Sequence, residues 1–172
     1  MTARAALSAT IAFAAAATFS FGVLLSETLL LYANIFADVP SSFAVALQFM
    51  SVVAPGDVLP RFGAMTVATA VAAVALTVRT PAVRAWTTAA AIVLLLGQFL
   101  FSALFFWPRN RIMFTEGLAV HDATYLQQVA AEFQAAHWVR VAAGAATAVL
   151  AFVGMLRMHR EYVTTRLDVP AR

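Results

Sequence analysis

Apolar positions run along this chain in four stretches of about 20 residues, each long enough as a helix to cross a hydrocarbon layer of about 30 Å. They lie at about residues 7–35, 62–78, 85–107 and 136–156, and polar residues gather in the short segments between them. The pattern predicts an all-α fold, a polytopic bundle of four transmembrane helices forming one membrane domain over residues 1–172. The segment AFAAAATFS has the small residues of a signal-peptide cleavage region. The apolar pattern nevertheless continues through GVLLSETLLLYANIF, so the stretch reads as a full span.

After the first span, DVPSS and APGDVLP mark turns. FAVALQFMSVV between them is too short to span; it predicts a short interfacial helix with DVPSS supplying its N-cap. Pro55 to Pro60 stiffen the approach to the second span, and RTPAVR makes spans two and three antiparallel neighbours. The small residues of spans two and four suit close helix contact. Gln98, the strongly polar side chain within span three, is expected to bond to a neighbouring helix. ATYLQQVAAEFQAAHW carries helix formers at helical spacing and runs without a break into the last span. It predicts a polar helical extension that puts Glu132, His137 and Arg140 on one rigid element.

Composition sharpens this reading. Of 172 residues, 63% are hydrophobic and 11% charged, against roughly 25% charged in an ordinary globular domain. All eleven basic residues are arginine, mostly at span ends. The pI of 10.2 therefore reads as membrane orientation, and nucleic acid is excluded as a partner. Arg4, Arg79, Arg84, Arg157, Arg160, Arg166 and Arg172 fall on one side. Arg61, Arg109 and Arg111 fall on the other with Asp38, Asp57, Glu116, Asp122 and Glu132. The positive-inside rule then places both termini in the cytoplasm, the expected location being a bacterial inner membrane. The absence of cysteine excludes disulfides, thiolate nucleophiles and Cys-ligated metal. No phosphate loop, GxSxG, HExxH or dinucleotide fingerprint is present.

The candidate chemistry is concentrated between residues 107 and 157. His137 and Arg140 are three apart on a helix and share a face. A histidine can take a proton near neutral pH and an arginine can hold the resulting anion. Asn110, at the exit of span three, is expected to join them. Glu27 is the one carboxylate of span one, with Asn34 two turns along the same face. An ionisable group at membrane depth faces protein or water, so Glu27 joins the site if span one packs beside span four. The aromatic run ending at Trp107 is a candidate pocket wall. A metal held by Glu116, His121, Asp122, Glu132 and His137 is the competing reading. It lacks the i, i+3 or i+4 ligand spacing, since His137 is five residues after Glu132, and no metal is expected.

Four spans, Pro108 and Asn110 closing the third, a polar helix, and then His137, Trp138 and Arg140 opening VRVAAGAATAVL resemble the anthrone oxygenase-like family of small membrane proteins. In the family pattern Trp-Asn precedes the histidine, where this chain has Ala135 and Ala136. The resemblance implies oxidation of the activated methylene of a lipophilic polyaromatic by O2, a monooxygenase reaction without an organic cofactor. In that reading His137 is the base, Arg140 and Asn110 stabilise the enolate, and Phe99, Phe105, Phe106, Trp107 and Trp138 bind the substrate. The alternative is a non-catalytic small subunit of a larger membrane complex, or a homo-oligomer, holding lipid, pigment or a partner helix. A third reading, a transporter, requires Glu27, Asn34 and Gln98 to line one polar path.

Overall fold

The computed structural model describes residues 3–167; Arg172, counted above among the basic residues, lies outside them. Among the described residues five helices follow one another: α1 (Ala3–Ile35), α2 (Ser41–Phe49), α3 (Pro55–Thr77), α4 (Pro81–Val120) and α5 (Ala123–Leu167). No strand occurs among the described residues. All but α2 are long and apolar enough to cross a membrane.

Several boundaries differ from the sequence expectation. Helix α3 begins at Pro55, seven residues before the expected start at 62. Pro55 sits at the first helical position, where its missing N–H costs nothing. The Asp57 carboxylate accepts the Ala54 N–H at 2.9 Å, completing that end. Pro81 starts α4 in the same way. Helix α4 then continues through Pro108 to Val120 instead of ending at Trp107. Pro108 lies two residues past the end of a π-helical turn, Ser102–Phe106. The wider ladder there already displaces backbone partners, so one missing N–H does not end the helix. DVPSS supplies the N-cap residue of α2, Pro40, but no side-chain cap. The Ser42 hydroxyl instead donates to the Ile35 carbonyl at 2.6 Å, tying α2 back to the end of α1. Helix α5 runs to Leu167 and carries His159 on an exposed side near its end.

Helices α1, α3, α4 and α5 form a ring in which α1 packs on α3 and α5, and α4 packs on the same two. One hydrogen-bonded polar pair closes each of the four interfaces. Ser20 meets Thr66 at 2.8 Å, Thr77 meets Thr87 at 3.0 Å, Gln98 donates to Thr147 at 3.2 Å, and His137 meets Thr28 at 2.8 Å. Gln98 thus bonds to a neighbouring helix as its position predicted. Between these pairs the core is mostly small: Phe13 and Leu94 fill the spaces left by Ala14, Ala17, Ala70, Ala73, Ala90 and Ala151. Small side chains permit close approach of the backbones.

With 45 residues, α5 is about 68 Å long at 1.5 Å per residue. This exceeds the length of its three partners' shared bundle, and its first turns project with the end of α4. Leu126, Val129, Ala130 and Phe133 of α5 pack there on Phe106 and Met113 of α4, Phe43 and Ala46 of α2, and Ile35 of α1. Asp122 caps α5 by accepting the Tyr125 N–H at 2.9 Å. The polar helical extension expected ahead of the last span is this packed end.

Candidate functional site

The polar centre of the molecule lies where α1 meets α5, just inside that end. In α1 the residues Glu27–Leu31 form a π-helical turn, closed by a bond from the Tyr32 N–H to the Glu27 carbonyl. Such turns recur at functional sites because they re-aim side chains out of the α-helical register. Here Glu27 and Tyr32, five apart, come onto the same side of the helix. The Arg140 charge acts on the Glu27 carboxylate through its field, and the Tyr32 hydroxyl acts on it as a hydrogen-bonding neighbour.

His137, on α5, is fully buried. Its imidazole stands edge-on to Tyr32 at 4.7 Å and to Phe106 at 5.6 Å, and lies nearly parallel to Phe133, one turn earlier on α5. The Thr28 hydroxyl lies 2.8 Å from His137 Nδ1 and donates its single proton to the Leu24 carbonyl at 2.8 Å. A hydroxyl has one proton, so Nδ1 must be the donor in the contact with Thr28. This hydrogen-bond network assigns the tautomer: Nε2 carries the lone pair. Nε2 has no hydrogen-bond partner, nor has Glu27 Oε2, which faces it at 3.9 Å. Two acceptor atoms thus face each other across a gap slightly too long for a hydrogen bond. A proton placed on either atom is within reach of the other after a small carboxyl rotation.

The Arg140 guanidinium lies 4.7 Å over the Phe106 ring, with its buried Nε unpartnered. It forms no contact ion pair with Glu27, but the field of each acts on the other. Replacing Thr28 tests the tautomer assignment. Thr28→Val removes the acceptor for Nδ1–H and shifts the proton to Nε2, whereas Thr28→Ser keeps it on Nδ1. The ¹⁵N shifts of the His137 ring nitrogens distinguish the two; unchanged shifts in Thr28→Val would sink the assignment.

On the side of α1 away from His137, Glu27 borders a groove of about 810 Å³ between α1 and α2. Its walls are apolar, chiefly Val23, Leu30, Ile35, Val45, Phe49 and Met50, with Ser26, Asn34 and Ser42 the other polar residues. Glu27 therefore touches the groove on one side and His137 on the other.

Of the residues singled out in the sequence, Glu27, His137 and Arg140 come together because α1 packs on α5. Phe106 joins them as a wall of the imidazole's box. Asn110 does not: it is exposed and takes part in none of these contacts. None of Phe99, Phe105, Phe106, Trp107 and Trp138 lines the α1–α2 groove. Phe99 and Trp107 pair with each other, both more than half exposed, and Trp138 is exposed too. Phe105 carries the Arg109 guanidinium at 3.5 Å from its ring centre. Nor does Gln98 share a path with Glu27 and Asn34, being engaged with Thr147.

The proposed metal ligands are dispersed. Glu116 binds Arg111 at 2.8 Å and His121 at 2.7 Å, and Glu132 binds Arg109 at 2.7 Å. No group of three His, Asp or Glu able to hold a metal occurs among the described residues. Thr28, Tyr32 and Phe133 are parts of the site that the sequence reading missed. A Glu-Thr pair inside an apolar span was the available signal for Thr28. Comparison with protein-family models, curated proteins and solved structures finds no match to this chain.

Proposed function

We propose that this chain is an integral membrane enzyme that takes a lipophilic aromatic molecule into the α1–α2 groove and removes a proton from it at Glu27, as the first step of a cofactor-independent oxygenation. One observation carries the reading. Glu27 lines the apolar groove, and its buried, unpartnered Oε2 lies 3.9 Å from an imidazole nitrogen whose lone pair is free. Glu27 is the group that meets the substrate. His137 stands behind it and receives the proton, with Thr28 fixing its tautomer. Arg140 supplies the positive field that holds the site's charge once Glu27 is neutral, which favours the substrate's conjugate base. These roles replace the expectation that His137 itself is the base.

The likeness to the anthrone oxygenase-like family supplies the second half of the reaction. The carbanion of an activated methylene reduces O2, one oxygen atom entering the carbon as a carbonyl and the other leaving as water with the two protons released. The protein binds, deprotonates and excludes water; the electrons come from the substrate.

Four helices long and apolar enough to cross a membrane support the membrane setting. It is supported by the arginines at the end where α1 and α4 begin and α3 and α5 finish. Arg4, Arg79, Arg84, Arg157, Arg160 and Arg166 have no carboxylate partner among the described residues, whereas Arg109 and Arg111 at the other end are paired. In a bacterial inner membrane this puts both termini in the cytoplasm and the groove toward the outer face, with α2 at that interface.

The test is aerobic turnover by purified chain in lipid nanodiscs with anthrone as substrate. The expected result is one O2 consumed per quinone formed, in buffer with no flavin, nicotinamide or added metal. Quinone formation no faster than in empty nanodiscs, together with co-purification of a stable partner, would replace this reading with that of a small subunit of a larger membrane complex.

A further inference from the structure

At the arginine-rich end of the bundle, α4 and α5 meet in a close seam. A Cβ added to Gly154 of α5 would lie 3.2 Å from Thr87 Cγ2 and 3.5 Å from Trp86 Cβ on α4. Arg157, nearly one turn further along α5, lays its guanidinium 5.0 Å over the Trp86 ring. Stacking holds the group by its face and leaves the N–H donors at its edge pointing outward. Arg157 makes no hydrogen bond or ion pair among the described residues. Arg160 is three residues on, shares that face of α5 and is equally unpaired among them.

Neither arginine is neutralised from within the chain. Glu161 is the one carboxylate at this end among the described residues, and Arg157 lies over Trp86 without pairing with it. Arg84 does not join the pair: it turns to the α3 side and donates to the Val78 carbonyl at 3.4 Å.

The height of the pair along the molecule bears on what it meets. Helix α5 is an uninterrupted α-helix, so the run from Trp138 to Arg157 rises about 29 Å, close to a hydrocarbon layer of about 30 Å. Trp138 is exposed at one boundary and Trp86 supports Arg157 at the other, the level at which tryptophan belts lie. Both guanidiniums therefore stand at headgroup height. On their membrane side, Leu150 and Val153 lie seven and four residues before Arg157 on the same face and are half-buried. They form a shallow apolar track, which a free ion would leave uncovered.

We infer that the α4–α5 seam binds one anionic phospholipid, its phosphate received by Arg157 and Arg160 and an acyl chain lying along Val153 and Leu150. The planar fork of arginine suits paired N–H···O bonds to phosphate. Two guanidiniums against Glu161 leave a net positive charge, which favours a headgroup of net negative charge and opposes the ammonium of phosphatidylcholine. The inference rests on the membrane setting and not on the enzymatic reading. It also differs from orientation by the positive-inside rule, under which all arginines of one end are equivalent.

That difference supplies the test. Native mass spectrometry of the full chain in detergent, titrated with dioleoyl phosphatidylglycerol or dioleoyl phosphatidylcholine, reads the affinity for the first lipid bound. The anionic lipid is expected to bind about 5- to 30-fold more tightly, the contribution of one to two basic residues at a membrane surface. Arg157→Gln with Arg160→Gln erases the preference. Arg79→Gln with Arg84→Gln removes the same charge from the same end and leaves the preference in place. All four arginines are exposed, so both double variants are expected to fold. Thermal unfolding in the same detergent checks this and gives a second readout. Phosphatidylglycerol raises the unfolding temperature of the parent and of the Arg79/Arg84 variant but not of the Arg157/Arg160 variant, and inorganic phosphate alone gives no such rise.

An equal loss of preference in the two double variants would mean a diffuse charge effect. An equal rise with inorganic phosphate would mean a free-anion site. Either result overturns the inference, as does phosphatidylcholine binding as tightly as phosphatidylglycerol. None of these outcomes touches proton removal at Glu27, and a failure of turnover leaves the lipid site standing.

Discussion

Glu27→Gln is expected to lower the rate of substrate oxidation by about 10²- to 10⁴-fold, the usual contribution of a positioned general base, or roughly 3–5 kcal/mol of barrier. The change keeps the shape of the side chain and removes only its ability to take a proton. Its effect on folding needs separate treatment, because the substitution leaves the Arg140 guanidinium without its counter-charge. The two groups are not in ion-pair contact among the described residues. The loss is therefore below the ~4 kcal/mol that unit charges exchange at 4 Å in an effective dielectric of about 20. A second variant separates the two effects. In Glu27→Gln with Arg140→Gln the unbalanced charge is gone, so thermal stability recovers toward the parent protein while turnover stays low. If the double variant regains activity, or if Glu27→Gln alone oxidises anthrone at the parent rate, Glu27 is not the base.

The relay behind Glu27 predicts a graded series. His137→Leu removes both ring nitrogens at similar volume and leaves no buried donor unpaired, because the Thr28 hydroxyl already donates to Leu24. Its effect on turnover is expected to be smaller than that of Glu27→Gln, since Glu27 can still take the first proton and lacks only its onward acceptor.

How much of this was legible in the sequence follows from which physical signals are periodic. Four apolar stretches and small-residue faces specify a helical bundle whatever the details, and the arginine-rich turn at Arg79 fixes one pair of neighbours. That Glu27, His137 and Arg140 share a site depended on α1 packing against α5, which no local pattern encodes. The sequence could pose that contact only as a condition. Tyr32 was out of reach for another reason. Five residues separate it from Glu27, and that spacing puts two side chains on one side only in a π-helical turn, which α-helical periodicity does not reveal. The run to Trp107 misled because aromatic density looks the same whether rings line a cavity, pack on one another or face outward. Phe106 packs inward, while Phe99 and Trp107 face out. Asn110 failed as a site residue because α4 does not end at Pro108. The helix carries Asn110 past the site on its exposed side, where an ending at Pro108 would have let it turn in.

Gly97→Ala is expected to destabilise the bundle by about 1–2 kcal/mol, although alanine is the better helix former by roughly 1 kcal/mol. An added Cβ at position 97 would lie 2.7 Å from the Ala143 Cβ and 4.0 Å from its Cα, so α4 and α5 must part. Overpacking of this kind typically costs about 1–3 kcal/mol, and here neither clashing atom is the far end of a flexible chain. The neighbouring Gln98–Thr147 bond, already 3.2 Å long, is the first contact to lengthen. Ala143→Gly relieves the clash directly. Alone it costs about 1 kcal/mol in helix propensity, but combined with Gly97→Ala it simply exchanges the two residues across the interface, and the pair should return close to parental stability. The measurement is a double-mutant cycle on thermal unfolding in a fixed detergent, with an expected coupling of at least about 1 kcal/mol in the rescuing direction. Additive losses would mean that α4 and α5 do not approach at this point. The spacing between α4 and α5 also bears on the site, because α4 carries Phe106 against the imidazole and α5 carries the imidazole itself. Gly97→Ala should accordingly reduce turnover as well, and the double variant should restore both properties together.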